Sequence, residues 1–337
     1  MQLIPSGEIQ IKVMENNNLY PREIQVYSEL LPEIQKLLKA VGDLTQFAPM
    51  CLYSANVPKM MLLFEDMREL GYSVIQKENQ MDVGNAFLVL AKLAKLHAAS
   101  AVLKEKNPSV MNQYLEGPIS KNPNRQDFLI FYSLISRTLA LIVENEWGSE
   151  WKNIAAKLKA LEHTINEKGC KVYTRDDTCF NVFNHDDIWL PNILFKKEDV
   201  LFIDFQLSFY GSLGIDLNYM FYGTLQETAR MLFKDQLIRS YHEQLVKTLK
   251  DLKYEKEIPS LDFVLEEIEK TAFHGVNAAL CVAPISLMEN SDKAEMDLML
   301  SESAEGDAFR YDLLNGKKYQ KFIKKLLLEF DSLKYLE

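Results

Sequence analysis

Between Phe183 and Phe221 the chain groups acid, amide and imidazole side chains at spacings suited to handling a highly charged, oxygen-rich group. His185, Asp186 and Asp187 stand together, and Asn192 follows five residues after Asp187. An apolar, strand-like run, Val200-Leu201-Phe202-Ile203, then delivers Asp204, and Asp216 follows in Gly-Ile-Asp-Leu. Carboxylate and amide oxygens are the ligands that hard cations such as Mg²⁺ prefer. A carboxylate beside such ligands is a general base for a hydroxyl proton. Taken singly, each residue has a plainer reading. An Asp after an apolar strand is a common turn former, and His185 beside two aspartates fits a fragment of a metal-dependent hydrolase. The order of the whole set is what points to phosphoryl transfer.

Kinase catalytic loops read H-R-D-x-x-x-x-N, with an Asp that takes the acceptor proton, an Asn on Mg²⁺, and a second metal-binding Asp after a nearby strand. His185, Asp187, Asn192 and Asp204 repeat that order. The run His-Asp-Asp-Ile-Trp-Leu-Pro-Asn-Ile-Leu-Phe resembles the HGDxWxxNxLF segment of the CHK kinase-like, or ecdysteroid kinase-like, family. Ile203-Asp-Phe-Gln followed by Gly-Ile-Asp-Leu resembles its IDFQ…DL segment. Asp186 stands where the family has Gly, and Pro191 precedes Asn192. Asp186 adds a carboxylate that either raises the pKa of Asp187 or points away.

The resemblance, from about Ile9 onward, implies an α+β, bilobal protein-kinase-like fold related to choline kinases and aminoglycoside phosphotransferases. Its N-terminal small lobe is incomplete here, and its large lobe is mostly helical. It implies ATP and Mg²⁺ as cofactors, with Asp187 as base and Asn192 and Asp204 on the metal. His185 belongs to the catalytic set as a structural member behind the Asp204 turn, and Asp216 braces the loop. Ile9-Gln-Ile-Lys-Val alternates as a strand does, and Lys12 in it resembles the family's phosphate-binding lysine. Glu23 resembles the helix glutamate that pairs with that lysine. Its plain alternative is a first-turn acid favoured by the helix dipole. Lys59 to Met67 resembles a hinge strand, so Phe64, Glu65, Asp66 and Met67 border the adenine. No GxGxxG occurs anywhere in the chain.

These residues need elements to hold them. The expected division is a partial nucleotide lobe over residues 1–67 and a catalytic and substrate lobe over residues 68–337. Gln2 to Gly7 reads as a strand tail, Pro21 as the first position of a helix, and Pro32 as the start of another. Strands are expected over residues 49–54 and 59–67, with Asn56-Val-Pro as their turn. Asp82 reads as the N-cap of a long helix, with His97 a satisfied core group on it. Helices follow over residues 126–144 and 150–168. After the motif come helices over residues 224–252, with Leu232, Phe233, Leu237, Tyr241 and Leu245 in the core, over 260–283 from an N-cap at Ser260, and over 317–336. Residues 290–307 read as an acidic loop.

The 337 residues carry a formal charge of −10, which disfavours nucleic acid as a partner. Four scattered cysteines with no CxxC pair read as reduced, buried thiols, which suits a cytoplasmic protein. The apolar run from Ala278 to Met288 is too short to span a bilayer and is broken by Pro284. The expected protein is a monomeric kinase for a small hydroxylated acceptor, an ecdysteroid-like steroid or another lipophilic alcohol. The alternative is a catalytically impaired, pseudokinase-like binding protein that lacks the Gly-rich loop.

Overall fold

The computed structural model describes residues 8–55, 61–120, 122, 127–288 and 296–337. In chain order the elements are α1 (Glu8–Asn16), α2 (Leu19–Gln25), α3 (Leu31–Ala40), β1 (Cys51–Ala55), β2 (Met61–Phe64), α4 (Val83–Lys106), α5 (Asp127–Glu146) and α6 (Lys152–Val172). They continue with β3 (Val182–Asn184), β4 (Ile193–Lys196), β5 (Asp199–Phe202), β6 (Phe209–Gly211), α7 (Gly214–Tyr219), α8 (Glu227–Asp251) and α9 (Leu261–Lys270). The last are α10 (Ala272–Asn277), α11 (Ala283–Ser286), α12 (Met296–Leu300), α13 (Ala304–Leu314) and α14 (Lys317–Ser332). The class is α+β: helices dominate, and the strands form three antiparallel pairs, β1–β2, β3–β6 and β4–β5.

The chain divides into two compact units. The first comprises Asn18–Gly117 and Thr174–Thr271; the second contains residues 8–17, Pro118–Tyr173 and Ala272–Glu337. The expected boundary after Met67 falls inside the first unit. That unit is built on α4, whose small residues Ala94, Ala98 and Ala99 are fully buried. Asp82 caps it by accepting from the Asn85 N–H at 2.8 Å, as its sequence suggests. Among the described residues α4 alone is long and apolar enough to cross a membrane, yet 78% of its apolar window is buried within the protein. It packs against α8, whose Leu237, Tyr241 and Leu245 are buried as expected. Leu232 is 74% exposed and so lies outside the buried stripe of α8, contrary to the expectation.

The second unit pairs α5 with α6 and packs α13 on α5. Residues 289–295 are not described, but the rest of the expected acidic loop is mostly helical, with α12 and α13 joined by residues 301–303. Ser303 caps α13 through the Gly306 N–H at 3.1 Å. The buried Arg310 guanidinium donates to the carbonyls of Leu298, Met299 and Ser301 at the end of α12. One buried arginine thus satisfies carbonyls that a loop would leave to water.

The N-terminal segment departs from its sequence reading. Residues 2–7 and the Asn56-Val-Pro turn lie outside the described residues. Ile9 to Val13 is helical within α1, and Lys12 is an exposed residue of that helix in the second unit. Five alternating residues fit a helical period as well as a strand. The helix gains a cap, because Asp297 accepts the Gln10 N–H at 3.1 Å, and it buries Val13. Pro21 sits at the third helical position of α2. Pro32 stands in the first turn of α3, as expected, with the helix beginning one residue earlier at Leu31. The chain runs from α2 into α3 through one wide turn, Val26–Leu30, where the Leu31 N–H reaches the Val26 carbonyl. Pro32 has no N–H for the ordinary bond four residues back, and the wider turn absorbs that defect.

Candidate active site

One hairpin, β4–β5, and the antiparallel pair β3–β6 that encloses it in sequence bring the motif residues together. The β4–β5 register pairs Ile193 with Phe202. Asn192 and Ile203 are therefore opposite, with the Ile203 N–H donating to the Asn192 carbonyl at 2.9 Å, and Asp204 follows next. The β3–β6 pair, Asn184 against Phe209, closes the other side. His185, Asp186 and Asp187 occupy the crossing between β3 and a short turn, Leu190–Asn192.

Asp187 is gripped at both carboxylate oxygens. Asn192 Nδ2 donates to Oδ2 at 2.8 Å and to the Asp187 carbonyl at 3.1 Å. The Tyr219 hydroxyl donates to Oδ1 at 2.5 Å. Burial pushes the Asp187 carboxyl up to about 8, and the charge of Asp204 adds to that push. The hydrogen bonds from Tyr219 and Asn192 oppose it. Asp186 adds a smaller upward push, so its charge does reach its neighbour. Asp186 has φ +63°. The position thus needs left-handed backbone, which suits glycine and which Asp tolerates better than most residues. Departure from the family's Gly therefore leaves the loop geometry intact.

Asp204 also has positive φ, +66°. Its N–H donates to the Tyr27 hydroxyl at 3.3 Å. One carboxylate oxygen, Oδ1, is buried with no hydrogen-bond partner, and burial raises the carboxyl above its ordinary range. Glu23 is buried on α2, and its charge acts with that of Asp204 on Tyr20 and Tyr27, so it belongs to this cluster.

Asp216 braces the loop from α7. Its Oδ2 accepts the His185 N–H at 2.8 Å and its Oδ1 the Asp186 N–H at 2.7 Å. His97 Nε2 lies 3.1 Å from Oδ2, and His97 Nδ1 lies 2.7 Å from the Tyr241 hydroxyl. A carboxylate only accepts, so His97 Nε2 carries the proton. Burial works to raise the Asp216 carboxyl, but the His97 hydrogen bond and the backbone N–H groups hold it below its usual range. Gly214 lets α7 approach α9, since a Cβ there would sit 2.3 Å from the Glu267 carbonyl.

His185 does not face the chemistry. Its Nε2 donates to the Ile203 carbonyl at 3.0 Å, and its Nδ1 accepts the Asp187 N–H at 3.3 Å. Its ring lies 4.6 Å from Phe205, which leads through Tyr27, at 5.5 Å, to Phe64, a further 4.6 Å on. Burial pushes the imidazole down to about 4. A second ring proton would also meet the Asp187 N–H. The sign follows: the folded value lies below the unfolded one, so His185 favours unfolding as pH falls from about 6.5 toward 4. Relative to His185→Gln, the wild type should lose roughly 2 kcal/mol of stability between pH 7 and 4.5. Urea unfolding at both values checks this, and parallel losses in the two proteins would refute it.

The hinge segment is placed but partly committed. Glu65 follows β2, and its carboxylate accepts from the Met50 N–H at 2.8 Å and Gln46 Nε2 at 3.1 Å. Asp66 pairs with the exposed Arg68, and Met67 is buried. Tyr27 and Glu65 also line a cavity of about 430 Å³ with Leu31, Lys39, Ala48 and Met50. Of the sequence-selected residues, the structure gathers Asp187, Asn192, Asp204, Asp216, His185 and Glu23 in one unit; Lys12 lies in the other. Sequence reasoning missed Tyr219 and Tyr27. Each has a weak signal, since Tyr219 lies three residues after Asp216 and Tyr27 four after Glu23, on shared helical faces.

The sequence model of the Ecdysteroid kinase-like family matches residues 2–254, three-quarters of the chain. The chain belongs to this family. Membership places it among small-molecule kinases. Among solved structures it is similar to a spectinomycin phosphotransferase in complex with ADP and spectinomycin, with TM-score 0.40 and 13% identity over 89% of this chain and 83% of that one. It is also similar to choline kinase from Cryptosporidium parvum Iowa II, with TM-score 0.39 and 16% identity over 90% of this chain and 81% of that one. No curated protein sequence matches it.

Proposed function

We propose that this family member is an ATP- and Mg²⁺-dependent O-phosphotransferase acting on a hydroxyl of an ecdysteroid-like steroid or another lipophilic alcohol. One observation carries the reading: the Asp187 carboxylate, tied to Asn192 at 2.8 Å, shares its cluster with an Asp204 oxygen that is buried and unpartnered. A buried carboxylate oxygen without a donor invites a cation. Among the described residues no three His, Cys, Asp or Glu side chains form a metal cage. That fits Mg²⁺, which takes one or two protein ligands and completes its shell with phosphate oxygens and water.

Asp204 and the Asn192 amide oxygen would hold the metal, which would neutralise charge on the transferring phosphoryl group. Asp187 would accept the acceptor's proton as the hydroxyl oxygen bonds to the γ-phosphorus and the bond to ADP breaks. Asp216 and His185 fix the loop that carries Asp187. Glu23 would position the cation that binds the nucleotide phosphates; Lys12, exposed on α1, is not carried into that role. The backbone from Phe64 to Met67 would border the adenine. Such catalysis is positioning plus electrostatics. The reading takes the protein as a cytoplasmic monomer.

Calorimetric titration of ATP with and without Mg²⁺ tests the proposal. Mg²⁺-dependent binding supports it, whereas no binding by folded protein would favour a non-catalytic, ligand-binding role. Asp187→Asn should keep Mg²⁺·ATP binding yet cut turnover by roughly 10²-fold or more, the scale of a lost general base. Near-normal turnover would remove Asp187 from that role.

A further inference from the structure

The short helix α7 holds the catalytic loop at two points. Asp216 takes the backbone N–H groups of His185 and Asp186. Tyr219, one turn on and on the same face, takes the carboxylate of Asp187 at 2.5 Å. Tyr219 is 4% exposed, so this hydroxyl is fixed by its surroundings. A wide turn, Met220–Thr224, follows it, and the Thr224 hydroxyl donates to the Ile188 carbonyl at 3.0 Å, tying that turn to the same loop. Wide turns of this kind recur at functional sites.

Asn192 donates to Oδ2 and Tyr219 to Oδ1, so an acceptor hydroxyl that approaches Oδ1 must share that oxygen with Tyr219. Each carboxylate oxygen offers two lone pairs. With no acceptor bound, Tyr219 fills one of those on Oδ1 and crowds the other. An acceptor held by its own binding contacts can share or displace that hydrogen bond. A single water molecule has no such contacts to draw on.

We propose that Tyr219 is a positioning residue that keeps water off Asp187, so that the phosphoryl group goes to the bound alcohol and not to solvent. The proposal rests on the phosphotransferase reading above. The reaction suppressed is hydrolysis: water oxygen bonds to the γ-phosphorus, the bond to ADP breaks, and ADP, inorganic phosphate and a proton are released.

The test is phosphate release from Mg²⁺·ATP by the full chain without acceptor, in the wild type, Tyr219→Phe and the double variant Tyr219→Phe/Asp187→Asn. Phenylalanine keeps the ring and removes only the hydroxyl. Tyr219→Phe should raise acceptor-free hydrolysis roughly tenfold, the scale of one hydrogen bond to a charged group. The double variant should abolish the gain. Tyr219→Leu should show the same rise and guards against an effect peculiar to one substitution. A merely structural role would lower hydrolysis along with melting temperature and would not raise it. Unchanged or reduced hydrolysis in variants that bind Mg²⁺·ATP would overturn the role of Tyr219 alone. A wild type that binds no Mg²⁺·ATP would overturn the phosphotransferase reading and this role with it.

Discussion

Asp204→Asn should abolish turnover, by roughly 10³-fold or more, while making the protein more stable. The two effects share one cause. Asp204 Oδ1 is buried and has no hydrogen-bond partner, and burial raises its carboxyl above the ordinary range. An unsatisfied buried group of this kind costs about 1–3 kcal/mol of stability. Removing the charge relieves the desolvation part of that cost and, in the same step, replaces the anionic ligand by a neutral amide oxygen that binds Mg²⁺ far more weakly. Asparagine is the better probe because φ is +66° at this position. Asn tolerates left-handed backbone, whereas Asp204→Ala adds strain of about 1–2 kcal/mol to the loss of the ligand. Mg²⁺·ATP at a hundred times its dissociation constant should stabilise the wild type by about 2.7 kcal/mol and leave the variant unmoved. Thermal melting with and without the nucleotide reads both parts. A variant that still turns over, or that Mg²⁺·ATP stabilises like the wild type, would sink the metal assignment.

The legible part of this site was the part whose chemistry is local in sequence. Asp187, Asn192, Asp204 and Asp216 lie within thirty residues, and one hairpin, one further antiparallel strand pair and one short helix suffice to assemble them. Each is a residue type that the reaction demands at its position, so order and spacing carried the information. His97 and Tyr241 are different. They stand 144 residues apart and meet only because α4 packs on α8. Nothing in either helix's own pattern marks the contact, and a lone histidine on an apolar helix reads as core. That reading was correct about burial but silent about its use, which is to hold Asp216. Lys12 shows the opposite error. Alternation over five residues suggested a strand, but no periodicity that short separates strand from helix, and the cap from Asp297 decided the outcome. The pairing of Asp297 with Gln10 spans 287 residues, beyond any local pattern.

Asp216→Ala should do more harm to the fold than any other change in the cluster. The carboxylate is fully buried, and three donors converge on it: the His185 and Asp186 N–H groups and His97 Nε2. Alanine leaves all three without an acceptor. Removing one partner of a buried, hydrogen-bonded charge costs about 3–5 kcal/mol, because the desolvation of the remaining groups is no longer offset. His97→Ala removes one donor and leaves both backbone contacts, so it should cost less. The two losses should not add, since they share one interaction, and the double variant should be little worse than Asp216→Ala alone. Chemical denaturation of the four proteins completes the cycle. Additive losses would mean that His97 supports the helix pair and not the loop. The pH window separates this clamp from its neighbour. The Asp216 carboxyl is held below its usual range, so its stabilisation is complete above about pH 4 and is lost only as pH falls through its lower folded value. His185 carries the same sign in a higher window, losing stability from about pH 6.5 downward. Mild acid should therefore loosen the imidazole behind the Asp204 turn while Asp216 still grips the backbone. Activity lost between pH 6.5 and 4.5 that His185→Gln does not show would locate the acid-sensitive element at that ring.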